Sequence, residues 1–177
     1  MNIHLETERL IIRDLTEHDL EGIFVLDSDS RVHEFLGQKP ITKKEEALKY
    51  IKDVQQQYTE SGVGRWAVET KDTSEFVGWC GLRLYSDYTF NNHTNFYDIG
   101  YRLRPKFWGK GFATEASKEC LNYAWNTLQL KTVYGITEQH NEASHRVLLK
   151  IGLQYIEDFH YEPENMMLRW YSITNPN

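Results

Sequence analysis

From residue 98 to residue 116 the chain reads Asp-Ile-Gly-Tyr-Arg-Leu-Arg-Pro-Lys-Phe-Trp-Gly-Lys-Gly-Phe-Ala-Thr-Glu-Ala, and the chemistry open to this run is the binding of an anion. Gly109 and Gly111 let the backbone turn tightly and come close to a ligand. Lys106 and Lys110 place positive charge on either side of Gly109. A helix starting after Gly111 would add unpaired N–H groups and the positive end of its dipole, so the loop can cradle a pyrophosphate. The same residues can also be read as a tight strand-to-helix turn with solvated lysines. Two other phosphate motifs are excluded: Gly109-Lys-Gly lacks the Gly-Lys-Ser/Thr of a Walker A loop, and Thr114 stands where the dinucleotide fingerprint has its last glycine. His140 and His145 straddle Asn141 five residues apart, whereas a helical zinc pair needs i and i+4 with further ligands, so no metal is expected. Cys80 and Cys120 lie in apolar stretches outside any CxxC pair and read as buried thiols.

These residues need elements to hold them. Leu10, Ile11 and Ile12 read as a short strand. Thr16 with Asp19 starts a helix over 17–27, and Thr42 with Glu45 starts a second. The second carries Ala47, Leu48, Ile51, Val54 and Tyr58 at helical spacing and runs to about Tyr58. The loop Ser28–Pro40 between them has the character of a binding wall. Strands are predicted over Trp66–Thr70, Phe76–Leu84 and Phe96–Leu103, the first two as a hairpin. From Gly111 the apolar positions Phe112, Ala113, Ala116, Cys120, Leu121, Ala124, Trp125 and Leu128 recur every three or four residues, the mark of a helix with one buried face. A strand over Thr132–Thr137, a helix over Glu142–Ile151 stopped by Gly152, and strands near Tyr155–His160 and Met166–Ser172 complete the chain.

At 177 residues the sequence suits one domain, 1–177, with one hydrophobic core. The net charge of −6 excludes a broad basic face for nucleic acid and favours a cationic or amine-bearing partner. No stretch approaches the roughly 18 uninterrupted apolar residues of a membrane span, so a cytoplasmic protein, monomer or homodimer, is expected.

The strand, loop and helix around Lys106-Phe-Trp-Gly109-Lys-Gly111 resemble the acetyl-CoA-binding motif of the GNAT superfamily, written Arg/Gln-x-x-Gly-x-Gly/Ala, with Lys106 replacing the usual first residue. Glu6-Thr-Glu-Arg-Leu-Ile-Ile-Arg13, Ile99-Gly-Tyr101, Asn141-Glu-Ala-Ser144 and Gly152-Leu153 follow in family order. Together they resemble the branch of Rim-type ribosomal-protein N-terminal acetyltransferases, over nearly the whole chain. The resemblance implies a mixed α/β fold: a mostly antiparallel twisted sheet flanked by helices, with its two central strands splayed around the pantetheine arm. It implies that Tyr101, Arg102 and Leu103 line that arm and that backbone groups of Leu103 contact it. It further implies that Lys106, Phe107, Trp108, Gly109, Lys110, Gly111, Phe112, Ala113 and Thr114 hold the pyrophosphate, and that Asn141 touches acetyl-CoA from the other side.

Making an amide from a thioester needs a neutral amine, a stabilised oxyanion and a proton for the thiolate. Acceptor amines with pKa values from about 8 to about 10.4 are partly or mostly protonated at neutral pH, so a base helps. Asp98 falls where the family often has a glutamate acting through water; its other reading is an aspartate that caps a turn or pairs with an arginine. Ser144 matches a serine proposed to protonate the thiolate; its other reading is a first-turn helix residue. A backbone N–H near Leu103 is the best oxyanion donor. Glu34, Trp66, Tyr85, Asp87 and Tyr88 fall where the family meets its acceptor. The acceptor is a primary amine of a protein N-terminus or of a small molecule, and the competing class is a CoA-binding sensor without turnover.

Overall fold

The computed structural model describes residues 3–86 and 89–176. Among these, eight strands form one sheet in the order β1-β2-β3-β4-β5-β6-β8-β7. In chain order the elements are β1 (His4–Glu6), β2 (Leu10–Arg13), α1 (Leu20–Asp27), α2 (Lys44–Ser61), β3 (Arg65–Thr70), β4 (Phe76–Tyr85), β5 (Phe96–Leu103), α3 (Phe112–Asn126), β6 (Thr132–Glu138), α4 (Glu142–Lys150), β7 (Gln154–Tyr161) and β8 (Met166–Thr174). Every neighbouring pair is antiparallel except β5 and β6. That pair is parallel because α3 carries the chain across between them, a connection no short turn can make. The expected mixed α/β architecture is therefore the one observed.

Strand alternation sorts the core into two layers. Trp66 of β3 and Cys80 of β4 are register partners, and both meet α3: Trp66 packs edge-on against Tyr123, and the Cys80 sulfur lies 3.5 Å from the Ser117 hydroxyl. Their neighbours Arg65 and Trp79 face the opposite way, where Tyr50 of α2 packs on the Trp79 ring. Helices α1 and α2 thus cover one face, and α3 and α4 the other. Both cysteines are fully buried and free, as their surroundings in the sequence suggest.

Helix boundaries follow local chemistry. The α2 start is one residue later than Thr42 and Glu45 imply: the Glu46 carboxylate accepts the Thr42 and Lys43 N–H groups at 3.1 and 2.9 Å. Its far end is closed by Gly62 at φ +71°, a left-handed cap. Ala47, Ile51, Val54 and Tyr58 form its buried stripe. Ahead of α1, residues 17–19 form a short 3-10 turn, with the Thr16 N–H donating to Asp19 at 2.9 Å. Leu128 lies beyond the end of α3, and β1 was not anticipated at all. No helix among the described residues is long and apolar enough to cross a membrane.

Candidate functional site

The cleft begins where β5 and β6 part. They pair only at Asp98 and Tyr134, and beyond that point the strands diverge. Arg104 donates its N–H to Val77 of β4 at 2.9 Å, so by the two-residue alternation of an antiparallel ladder Tyr101 and Leu103 turn their main-chain groups away from β4 and into the gap. A cleft of about 750 Å³ follows this gap, from the loop after β5 to the residues between α2 and β4.

At one end the chain leaves β5 through Trp108, Gly109 and Gly111 and enters α3. Gly109 and Gly111 hold φ values of +73° and +82°, which side chains with a Cβ rarely adopt. Among the described residues, none beyond its own chain neighbours comes within 4 Å of where a Gly109 Cβ would sit, so its requirement is conformational rather than one of internal space. The first turn of α3, with Phe112, Ala113 and Thr114 in the cleft wall, offers N–H groups without intrahelical partners. Lys106 and Lys110 are not in that wall. Lys106 pairs with Glu75, and Lys110 sits over the Phe107 ring, 5.5 Å from its centroid, so the flanking charges expected at the cradle are turned outward. Trp108 is 47% exposed, and its indole N–H donates to the Leu103 carbonyl at 2.7 Å.

Arg9 braces this end. Its guanidinium donates to Glu115 at 2.7 Å and to the Lys110 carbonyl at 3.0 Å, and stacks on Phe112. Glu115 also accepts the Thr7 hydroxyl at 2.6 Å and the Arg9 N–H at 2.9 Å. Burial works to raise the Glu115 pKa, but these hydrogen bonds hold it below the ordinary carboxylate value. The signal for this clamp was present in the Thr7 and Arg9 of the N-terminal motif; its partner, 106 residues away in the chain, was not visible.

At the middle of the cleft the Tyr101 and Ser144 hydroxyls lie 2.8 Å apart, with Tyr101 also within reach of the Ser144 carbonyl at 3.1 Å. Burial pushes the Tyr101 phenol well above its usual value, so it stays protonated. Asn141 caps α4 by accepting the Ser144 N–H at 3.0 Å, which leaves its amide NH₂ for another partner. His145 faces elsewhere, sharing a 2.7 Å hydrogen bond with the buried Tyr171 hydroxyl.

The other end lies on the α1–α2 face, where Asp98 takes the second of its two readings and the expectation for Trp66 is corrected. Asp98 is 5% exposed, and Arg65 Nη2 holds both its carboxylate oxygens at 2.8 and 2.9 Å. It is an ion-pair partner rather than an open base. Burial raises its pKa while the guanidinium pulls the other way. Gly100 makes this pair possible, because a Cβ there would meet Arg65 Cζ at 2.7 Å. Trp66 is fully buried against α3 on the opposite face, so it cannot touch an acceptor in the cleft. Glu34 and Tyr85 do line the cleft, Tyr85 stacked on Phe96. Arg102 also lies along it, its guanidinium turned to Asp27 at 2.6 Å. Asp87 and Tyr88 lie outside the described residues. Arg65 itself was missed, because the strand was predicted to start at Trp66.

The profile described as "Acetyltransferase (GNAT) domain" matches residues 9–154 of this chain. The chain belongs to the GNAT acetyltransferases. The relative YoaA of Bacillus subtilis (strain 168), described as an uncharacterized N-acetyltransferase, is 34% identical over 150 residues, covering 85% of this chain and 82% of YoaA. A GNAT acetyltransferase structure from Bacillus anthracis superposes with a TM-score of 0.80 at 23% identity, covering 99% of this chain and 100% of that one. Spermidine N-acetyltransferase from Vibrio cholerae, solved with CoA and spermine, has the same fold at a TM-score of 0.74 and 17% identity, covering 96% of this chain and 97% of its own. As a GNAT enzyme, the chain is an acetyl-CoA-dependent N-acetyltransferase.

Proposed function

We propose that acetyl-CoA lies along the gap between β5 and β6 and that a primary amine, entering from the α1–α2 face, attacks the thioester directly. The observation that carries this reading is the single pairing of β5 with β6, which leaves the main-chain groups of Tyr101 and the N–H of Leu103 open beside the Tyr101–Ser144 hydroxyl pair. The pyrophosphate rests on Gly109, Gly111 and the first turn of α3, and the free amide of Asn141 contacts acetyl-CoA from α4. A backbone N–H of Tyr101 or Leu103 receives the oxyanion. Ser144 gives its proton to the departing thiolate and regains one from water, while Tyr101, kept protonated by burial, orients the serine through the hydrogen bond between their hydroxyls. Asp98 holds Arg65 in place instead of taking the amine's proton, which leaves to water. The Asn141 and Ser144 pattern supports kinship with the Rim-type branch.

The test is acetyl transfer by the purified protein, following free thiol and acetylated product together over N-terminal peptides, polyamines, aminoglycosides and amino acids. Transfer to one acceptor class is expected. Ser144→Ala should lower kcat by roughly 100-fold with KM little changed, because the lost donor acts on the leaving group. CoA binding without turnover on any amine overturns the proposal in favour of a CoA sensor.

A further inference from the structure

Where β3, β4 and β5 line the acceptor end of the cleft, arginines outnumber carboxylates. Arg83 lies directly opposite Asp98 across β4 and β5, on the same face as Arg65. Asp98 gives both oxygens to Arg65, so one carboxylate serves two guanidinium groups. Arg102 adds nothing to the sum, because Asp27 neutralises it. Among the described residues Arg83 makes no ion pair; its guanidinium rests on the Tyr85 ring, 4.5 Å from the centroid. The same wall carries buried polar groups without partners. Trp79 is 7% exposed, and its indole N–H meets no acceptor. The Tyr50 hydroxyl is likewise buried and unpartnered. A buried donor without an acceptor is costly unless a ligand supplies one.

We infer that the acceptor amine carries a carboxylate, which Arg83 binds: an amino acid or a close analogue. This rests on the proposed entry of the amine from the α1–α2 face. Arg83 and Asp98 stand two residues along the strand from Gly100, about 7 Å from the mouth of the gap. A carboxylate a few bonds from the reacting nitrogen spans that separation together with the reach of an arginine. Glu34 and Glu138 line the cleft as well and draw the ammonium form toward it. A polyamine would set a second cation against Arg83, and a peptide N-terminus offers only neutral amides near its amine.

The experiment compares free amino acids with their carboxamides, their decarboxylated amines and an aminoalkyl phosphate, by steady-state acetyl transfer. The carboxylates should show kcat/KM at least about tenfold above the neutral forms, the factor expected from about 1.4 kcal/mol of charge pairing. Arg83→Gln should erase that preference by raising KM for the carboxylates, and Arg83→Lys should restore part of it. Equal or better turnover of the decarboxylated amines, a preference for the phosphate, or an unchanged preference in Arg83→Gln would overturn the inference while leaving the acetyltransferase reading intact. Absence of thiol release with every amine would remove the reading beneath it as well.

Discussion

A carboxylate whose two oxygens face one guanidinium has little left for a passing amine, and Asp98 is held in that way by Arg65. The pair is buried, so each charge depends on the other. Asp98→Asn leaves Arg65 uncompensated and should destabilise the fold by roughly 3–5 kcal/mol, read from chemical denaturation. Adding Arg65→Met should recover part of the loss, because the orphaned charge goes with it. If Asp98→Asn kept full stability yet lost turnover, the aspartate would be acting as a base after all. Arg83 belongs to the same cluster, so the charge balance of three side chains on one face of the sheet bears on folding and, under the carboxylate proposal, on acceptor choice.

The turn from β5 into α3 is where backbone conformation limits function most directly. Gly109→Val must hold a β-branched residue at φ +73°, in a place where no described residue beyond its chain neighbours stands to clash with it. The folded variant should therefore bind CoA at least tenfold more weakly by calorimetry, and unchanged affinity would reject the loop as the pyrophosphate cradle. This turn was readable in the sequence, since glycine spacing and the apolar period of α3 are local signals. The sheet was readable as well, apart from β1, which is three residues long and pairs only with β2. Side-chain direction was not. Trp66 and Arg65 differ by one position in β3, and one step along a strand exchanges its faces. The outward turn of Lys106 depends on Glu75, a partner supplied by the end of another strand. Such choices are settled by register, which one sequence does not display.

Across the whole molecule, Glu115 joins the N-terminal strands to the turn that opens α3, through Thr7 and Arg9. Its pKa lies below the ordinary value of 4.5, so its share of stability is fully present above that pH and fades as pH falls through the lowered folded value. Glu115→Gln should flatten the acid limb of the stability curve and weaken CoA binding several-fold, both measurable by thermal melting with and without CoA. The lone β5–β6 pairing has a mechanical meaning too. The sheet is two ladders, β1 to β5 and β6 to β8 with β7, joined by a single rung at Asp98 and Tyr134. On the proposed placement of acetyl-CoA, an extended arm with amide groups of its own would supply missing rungs, so each turnover would add a temporary strand to the sheet and take it away.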